Sequence, residues 1–235
     1  MNLQGKVVLI TGASDGIGKQ IALRLAVRRV KLALLARRAD ALQKVADEAK
    51  KLGAAEARIY PCDVVDTKKL SRAISSIIHD FGVLDILINN AGIWQKKGRL
   101  DTISQEVVDQ VIGIDLTAVI HCTRLTLPHL LKQPEAAIIN ISSRSGTTAQ
   151  MGQSIYSAAK WGVHGFTEVL KEDLKGTSVR VAGVYQGGIN TTMFQKAGEE
   201  FSTVEFTEPY DLAEVVVFML SQPQKIWLHD VRVER

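Results

Sequence analysis

The sequence predicts a single doubly wound α/β domain, with a mostly parallel seven-stranded sheet and helices on both faces. Three observations carry this. Short, continuously apolar runs alternate with longer segments whose apolar residues recur every three or four positions. The runs lack the in–out alternation of a half-exposed sheet, so both of their faces must be covered. And 235 residues, 46% of them apolar and 23% charged, suit one domain with an ample core and no linker or repeat.

Val7 to Ile10 reads as the first buried strand, ending at Thr11-Gly12; Ile17, Ile21 and Leu25 then mark one face of a helix. Leu32 to Leu35 is the second strand, and Leu42, Val45, Ala49 and Leu52 form a helical stripe stopped by Gly53. Ala57 to Tyr60 is the third, followed by a helix through Leu70, Ile74, Ile77, Ile78 and Phe81 that Gly82 ends. Leu84 to Ile88 is a strand, Ser104 to Leu131 a long helix, and Ala137 to Ile141 a strand. Ser154 to Leu174 is a helix, Val179 to Val184 a strand, Asp211 to Leu220 a helix, and Ile226 to Val233 a closing strand.

Composition excludes several classes. Cys62 and Cys122 have no C-x-x-C spacing and read as reduced thiols. The net charge of +4 is spread in runs no longer than Arg37-Arg38 or Lys96-Lys97, a solvated surface rather than a nucleic-acid patch. No apolar stretch approaches the roughly 20 residues of a membrane span, and Met1 to Lys6 lacks the layout of a signal peptide. A cytoplasmic protein without nucleic-acid or membrane partners is the expectation. His121, His129 and His164 fall on helices without metal-ligand spacing, so no metal is expected.

Thr11-Gly12-Ala13-Ser14-Asp15-Gly16-Ile17-Gly18 lies where the first strand turns into the first helix. There Gly12 permits a tight turn, Gly16 lets backbone approach a pyrophosphate, and Gly18 lets helix pack on strand, while the helix N-terminus favours phosphate. The end of the second strand chooses the cofactor: a carboxylate suits the ribose 2′-hydroxyl of NAD, a cation the 2′-phosphate of NADP. The chain has Arg37 and Arg38 there and no carboxylate. That favours NADP(H) over NAD(H), although the pair could also simply begin a solvated loop and Asp15 adds opposing charge.

Tyr156 and Lys160 stand four apart at a helix start and so share a face. Ser143 follows the strand ending at Ile141, at the carboxyl edge where ligands of such sheets gather. Together with the glycine loop and Asn89-Asn90-Ala91-Gly92 after the fourth strand, these residues resemble the classical short-chain dehydrogenase/reductase family, from about Leu3 to Met193. The resemblance implies a Rossmann-type fold and hydride exchange between a nicotinamide and a small carbonyl or alcohol substrate. It implies Tyr156 as proton donor and acceptor, Ser143 on the carbonyl oxygen, and Lys160 on the nicotinamide ribose and lowering the phenol's pKa. It also puts Ser14, Asp15, Ile17, Asp63, Val64, Asn90, Ala91, Gly92, Gly187, Ile189 and Thr191 around the cofactor, with Asp63 beside the adenine, Asn90 near its ribose and Thr191 on the carboxamide.

The chain departs from the family twice. Asp115 stands where an Asn is usual, bringing a carboxylate toward Lys160; Gln186 in Tyr185-Gln186-Gly187-Gly188 replaces a proline, which would loosen that loop. The family's substrate-lining segments here hold Ile93, Trp94, Gln95, then Arg144, Gln150, Met151, Gln153, then Met193 and Phe194, a mixture of apolar and amide groups. By analogy, Val119, Leu127, Leu130, Val163, Phe166 and Val169 would supply the apolar face of a homodimer or homotetramer. The alternatives that stay open are a 3-oxoacyl carrier-protein reductase and a weakly active nicotinamide-binding regulator.

Overall fold

A computed structural model describes residues 1–223 and 225–234. The strands are β1 (Val7–Thr11), β2 (Lys31–Ala36), β3 (Glu56–Pro61), β4 (Ile86–Asn89), β5 (Ala136–Ile141), β6 (Val179–Gln186) and β7 (Asp230–Val233). They form one seven-stranded sheet in the order β3-β2-β1-β4-β5-β6-β7, every pairing parallel. The chain walks outward from β1 to β3, then returns to place β4 on the other side of β1. That reversal opens a crevice at the carboxyl ends of β1 and β4.

Helices α1 (Gly16–Ala26), α2 (Ala39–Lys51) and α7 (Pro209–Ser221) cover one face; α3 (Thr67–Phe81), α5 (Ala118–Leu130) and α6 (Ser154–Asp173) cover the other. Successive residues of β1 serve opposite layers: Val8 and Ile10 join Ile21, Leu42 and Leu212, whereas Val7 and Leu9 join Leu70, Ile74 and Cys122. This two-sided burial is why the strands read as unbroken apolar runs. Helix ends follow local chemistry: Asp66 accepts from Lys69 N at 2.9 Å to start α3, and Gly82 ends it at φ 76°.

Several expectations change. The long helix is not uniform: α4 (Gln105–Ile112) and α5 are joined by a π-helical turn, Gly113–Thr117, that carries the buried Asp115. Such turns insert one extra residue and gather at functional sites. The closing strand begins at Asp230 rather than Ile226, because Trp227 turns its indole inward to donate to Val181 O at 2.7 Å. Gln186 does not loosen its loop. It completes β6 opposite Val233, and Gly187 N donates to Val233 O at 2.8 Å. Lastly, Val119, Leu130 and Val163 are buried within the monomer and cannot form a subunit face; Ile120, Leu131, Trp161 and Val169 are the exposed apolar residues of those helices.

Read as one 26-residue helix, Gln105–Leu130 is long and apolar enough by length and composition to cross a membrane, contrary to the expectation of no such stretch. Its apolarity has another use: Cys122, Thr123 and Leu130 are buried, and α5 packs on β4 and β5.

Candidate functional site: the crevice at the carboxyl ends of β1 and β4

A cavity of about 1340 Å³ occupies the crevice. It exceeds the roughly 300–1000 Å³ typical of a pocket for one small ligand, so it has room for a dinucleotide and a second molecule.

One half is made of backbone. Gly12 and Gly16 have φ of 67° and 51°, where a side chain is strained, and a Cβ on Gly12 would lie 2.8 Å from Ala91 Cα. Asn90 fixes this loop: its amide donates to Thr11 O at 2.9 Å and Gly12 O at 3.3 Å. Asn90 therefore shapes the glycine turn as well as lining the cavity. Gly18 is not in the cavity wall. A Cβ there would sit 2.4 Å from Gly12 O, so it serves the fit of α1 beneath the loop.

Ser14, Asp15, Ile17, Arg37, Arg38, Asp63, Val64, Ala91, Gly92, Gly187, Ile189 and Thr191 all line the cavity. Asp15 does not repel an anion as its charge suggests. It caps Gly16 N at 2.8 Å, accepts from Lys196 Nζ at 2.7 Å and Thr192 Oγ1 at 3.1 Å, and lies 3.9 Å from Arg38. Against the cost of burial, Lys196 and the Gly16 N–H hold its carboxyl below the usual range.

The other half holds the reactive side chains. Ser143, Tyr156 and Lys160 meet in the cavity wall, and all three are buried. Lys160 Nζ stands 5.5 Å from the centre of the Tyr156 ring and 3.0 Å from Asp115 Oδ1. That contact is a buried ion pair, and Asp115 Oδ2 accepts from Ile93 N at 3.1 Å. Burial pushes the Tyr156 phenol above its ordinary pKa; Lys160 and Ser143 pull it down and Asp115 pushes it up, and the outcome is a raised value. The expected lowering by Lys160 is thus outweighed, because burial dominates and Asp115 offsets the ammonium. Burial disfavours charged Lys160 as well, yet Asp115 and the phenol hold its pKa above the ordinary value.

Trp94 roofs this corner. Its ring centre is 4.8 Å from that of Tyr156 and 4.9 Å from that of Phe194, which leads to Phe201 and Phe206. Glu199 ties the roof down, accepting at Oε1 from Trp94 Nε1 (3.0 Å) and Lys97 N (2.8 Å). Of the anticipated substrate wall, Ile93, Trp94, Met193 and Phe194 line the cavity, whereas Gln95, Arg144, Gln150, Met151 and Gln153 do not. Arg144 turns to Glu234 (3.7 Å) and Gln150 (3.4 Å), and Met151 is almost fully exposed. The wall is completed by residues sequence reasoning missed, Ile103, Val107, Val111 and Lys96 among them. Val107 and Val111 lie four apart on α4, a spacing that could have marked an inward face. The neighbouring Ser142 does not line the cavity; its hydroxyl donates to Lys160 O at 3.4 Å.

The profile of the short chain dehydrogenase family matches residues 6–201. The chain belongs to the short-chain dehydrogenase family. Two relatives match it over nearly their whole length. The 3-oxoacyl-[acyl-carrier-protein] reductase FabG of Thermotoga maritima is 32% identical over 94% of this chain and 92% of its own, and an uncharacterized oxidoreductase of Staphylococcus aureus is 31% identical over 98% and 97%. Among solved structures, a metagenomic short-chain oxidoreductase in complex with NADP superposes with a TM-score of 0.87 at 29% identity, covering 100% of this chain and 98% of that one. An alcohol dehydrogenase from the archaeon Thermococcus sibiricus, complexed with 5-hydroxy-NADP, gives 0.90 at 25% identity over 98% and 96%. This short-chain dehydrogenase is therefore an oxidoreductase by family.

Proposed function

We propose that the protein reduces small, largely apolar aldehydes or ketones with NADPH, Tyr156 acting as the proton donor. The observation that carries this is the meeting of Ser143, Tyr156 and Lys160 in the wall of the cavity that the glycine turn also lines. The residues fit a dinucleotide: a Cβ would close the cradle at Gly12 and Gly16, and Arg37 and Arg38 follow directly on β2, where a 2′-phosphate would lie. Asp15, already engaged by Lys196 and Arg38, leaves little opposing charge, and two superposed relatives are NADP or NADP-analogue complexes. When bound, the dinucleotide supplies or takes the hydride.

The chain supplies the rest. Ser143 Oγ accepts from Ser145 N at 3.1 Å, and its one hydroxyl proton, which otherwise serves the phenol, would donate to a carbonyl oxygen and hold it beside Tyr156. Tyr156, kept protonated by burial and by Asp115, gives its proton to that oxygen as negative charge develops there. Lys160 balances the phenolate left behind and is itself steadied by Asp115. The apolar wall of Ile93, Trp94 and Phe194 excludes water and favours a flat, uncharged substrate. With Arg144 paired elsewhere, no guanidinium on that loop meets a substrate carboxylate. The test is a panel of aldehydes, ketones, 3-oxo esters and hydroxy acids followed at 340 nm with NADPH and NADH, repeated with Tyr156→Phe. The variant should lose about 10²–10⁴-fold in turnover while binding NADPH normally; undiminished turnover removes Tyr156 from the mechanism.

A further inference from the structure

We propose that Gln95 is a positioning residue: from a separate loop it caps the helix that carries Tyr156 and sets the height of the phenol in the site. The proposal rests on the role assigned to Tyr156 above.

Helix α6 begins at Ser154, and its own N-cap, Gln153, makes no side-chain bond to the helix. The first-turn N–H groups of a helix have no intrahelical acceptor, and a normal cap side chain serves the second or third of them. Here both are served by Gln95, more than fifty residues earlier in the chain. Its Oε1 accepts from Ile155 N and from Tyr156 N, each at 3.0 Å. Its Nε2 donates to Gly152 O at 3.2 Å, and the same carbonyl accepts from Gly98 N at 3.0 Å. Gln95 is wholly buried and does not line the cavity, so it does not act by touching a ligand.

One of these donors is the backbone N–H of Tyr156 itself, so the amide holds the residue whose phenol transfers the proton. Gln153, freed from capping, accepts from Ser145 Oγ at 2.8 Å, and Ser145 N donates to Ser143 Oγ at 3.1 Å. The two glutamines thus anchor the two hydroxyls that flank the substrate oxygen. Gln95 is also next to Trp94, whose ring lies on Tyr156. A shorter or apolar side chain leaves two buried N–H groups unpaired and lets the first turn of α6 shift. Displacements of about 1 Å at a reacting group can cost on the order of 10²-fold in rate.

The experiment compares Gln95→Ala, Gln95→Glu and Tyr156→Phe with Asp66→Ala, which removes a cap from α3 instead. Turnover of 4-nitrobenzaldehyde with NADPH, NADPH affinity and amide hydrogen exchange at Ile155 and Tyr156 are measured. Gln95→Ala should lower kcat on the order of 10²-fold with NADPH affinity unchanged, and its two amides should exchange faster, whereas Asp66→Ala keeps kcat. Gln95→Glu keeps the acceptor, so the amides stay protected; its negative charge disfavours the phenolate, and the limb of alcohol oxidation moves to higher pH. This second variant decides the matter if Gln95→Ala fails to fold. The proposal is overturned by a Gln95→Ala kcat within about threefold of the parent, by unchanged exchange at both amides, or by a Gln95→Glu limb that stays in place. Loss in Tyr156→Phe alongside a normal Gln95→Ala sinks only this proposal; full turnover in Tyr156→Phe sinks the proton-donor role beneath it.

Discussion

The two halves of the cavity are held by different means. The dinucleotide half is framed by strand ends and a glycine turn, fixed by backbone geometry and by Asn90 reaching across from the end of β4. In the reactive half, side chains hold the loop after β4, the π-helical turn, helix α6 and the segment around Glu199 to one another: Gln95 on α6, Glu199 on Trp94 and Lys97, and Asp115 on Lys160 and Ile93. Ladder-held geometry changes little when one side chain is altered, unless a Cβ is forced into it. Side-chain-held geometry yields one contact at a time. Substrate choice can therefore vary while dinucleotide binding persists.

This contrast can be broken most severely at Gly12. Gly12→Val puts a branched side chain at φ 67°, 2.8 Å from Ala91 Cα, and should weaken NADPH binding by 100-fold or more, roughly 3 kcal/mol, by titration calorimetry. Arg37→Ala should come next, weakening NADPH about 10- to 100-fold while leaving NADH nearly untouched. Equal losses for both cofactors would remove Arg37 from 2′-phosphate recognition.

In the other half effects should be smaller and selective. Glu199→Ala removes two hydrogen bonds from the roof and should raise KM about fivefold with kcat and NADPH affinity preserved. Donation from Trp94 and Lys97 holds the Glu199 carboxyl below its usual range despite partial burial, so the latch is complete at neutral pH and opens only as acid protonates it. The subtlest change is Asp115→Asn. It removes the negative charge that raises the Tyr156 pKa, so the phenolate forms at lower pH and the limb of alcohol oxidation should move down. A limb that moves up, or not at all, would show that Asp115 serves Lys160 without bearing on the phenol.

Much of this arrangement was legible in the sequence. Buried strands announce themselves because a sheet covered on both faces tolerates only apolar residues, and glycine turns because only glycine fits a positive φ beside another backbone. The order of Gly12, Asn90, Ser143, Tyr156 and Lys160 along such a pattern was enough to read one crevice. Gln95 and Gln153 were misread as substrate wall, since a glutamine in a loop carries no sign of which orphaned N–H or hydroxyl it will meet. For Arg144 the sequence left an anionic substrate and a surface position both open, and the structure decides for the surface because its partner, Glu234, lies ninety residues away.

By itself the sequence determined the periodicities, and through them the sheet, its covered faces and the glycine cradle, because those depend on local backbone preference and on apolar burial. Tertiary structure alone decided the balance of charge at Tyr156, the capping of its helix from another loop and the closing of the aromatic roof. Each depends on distances of a few ångströms between groups far apart in the chain, where hydrogen bonds and charge pairs fall off steeply, and no local pattern encodes them.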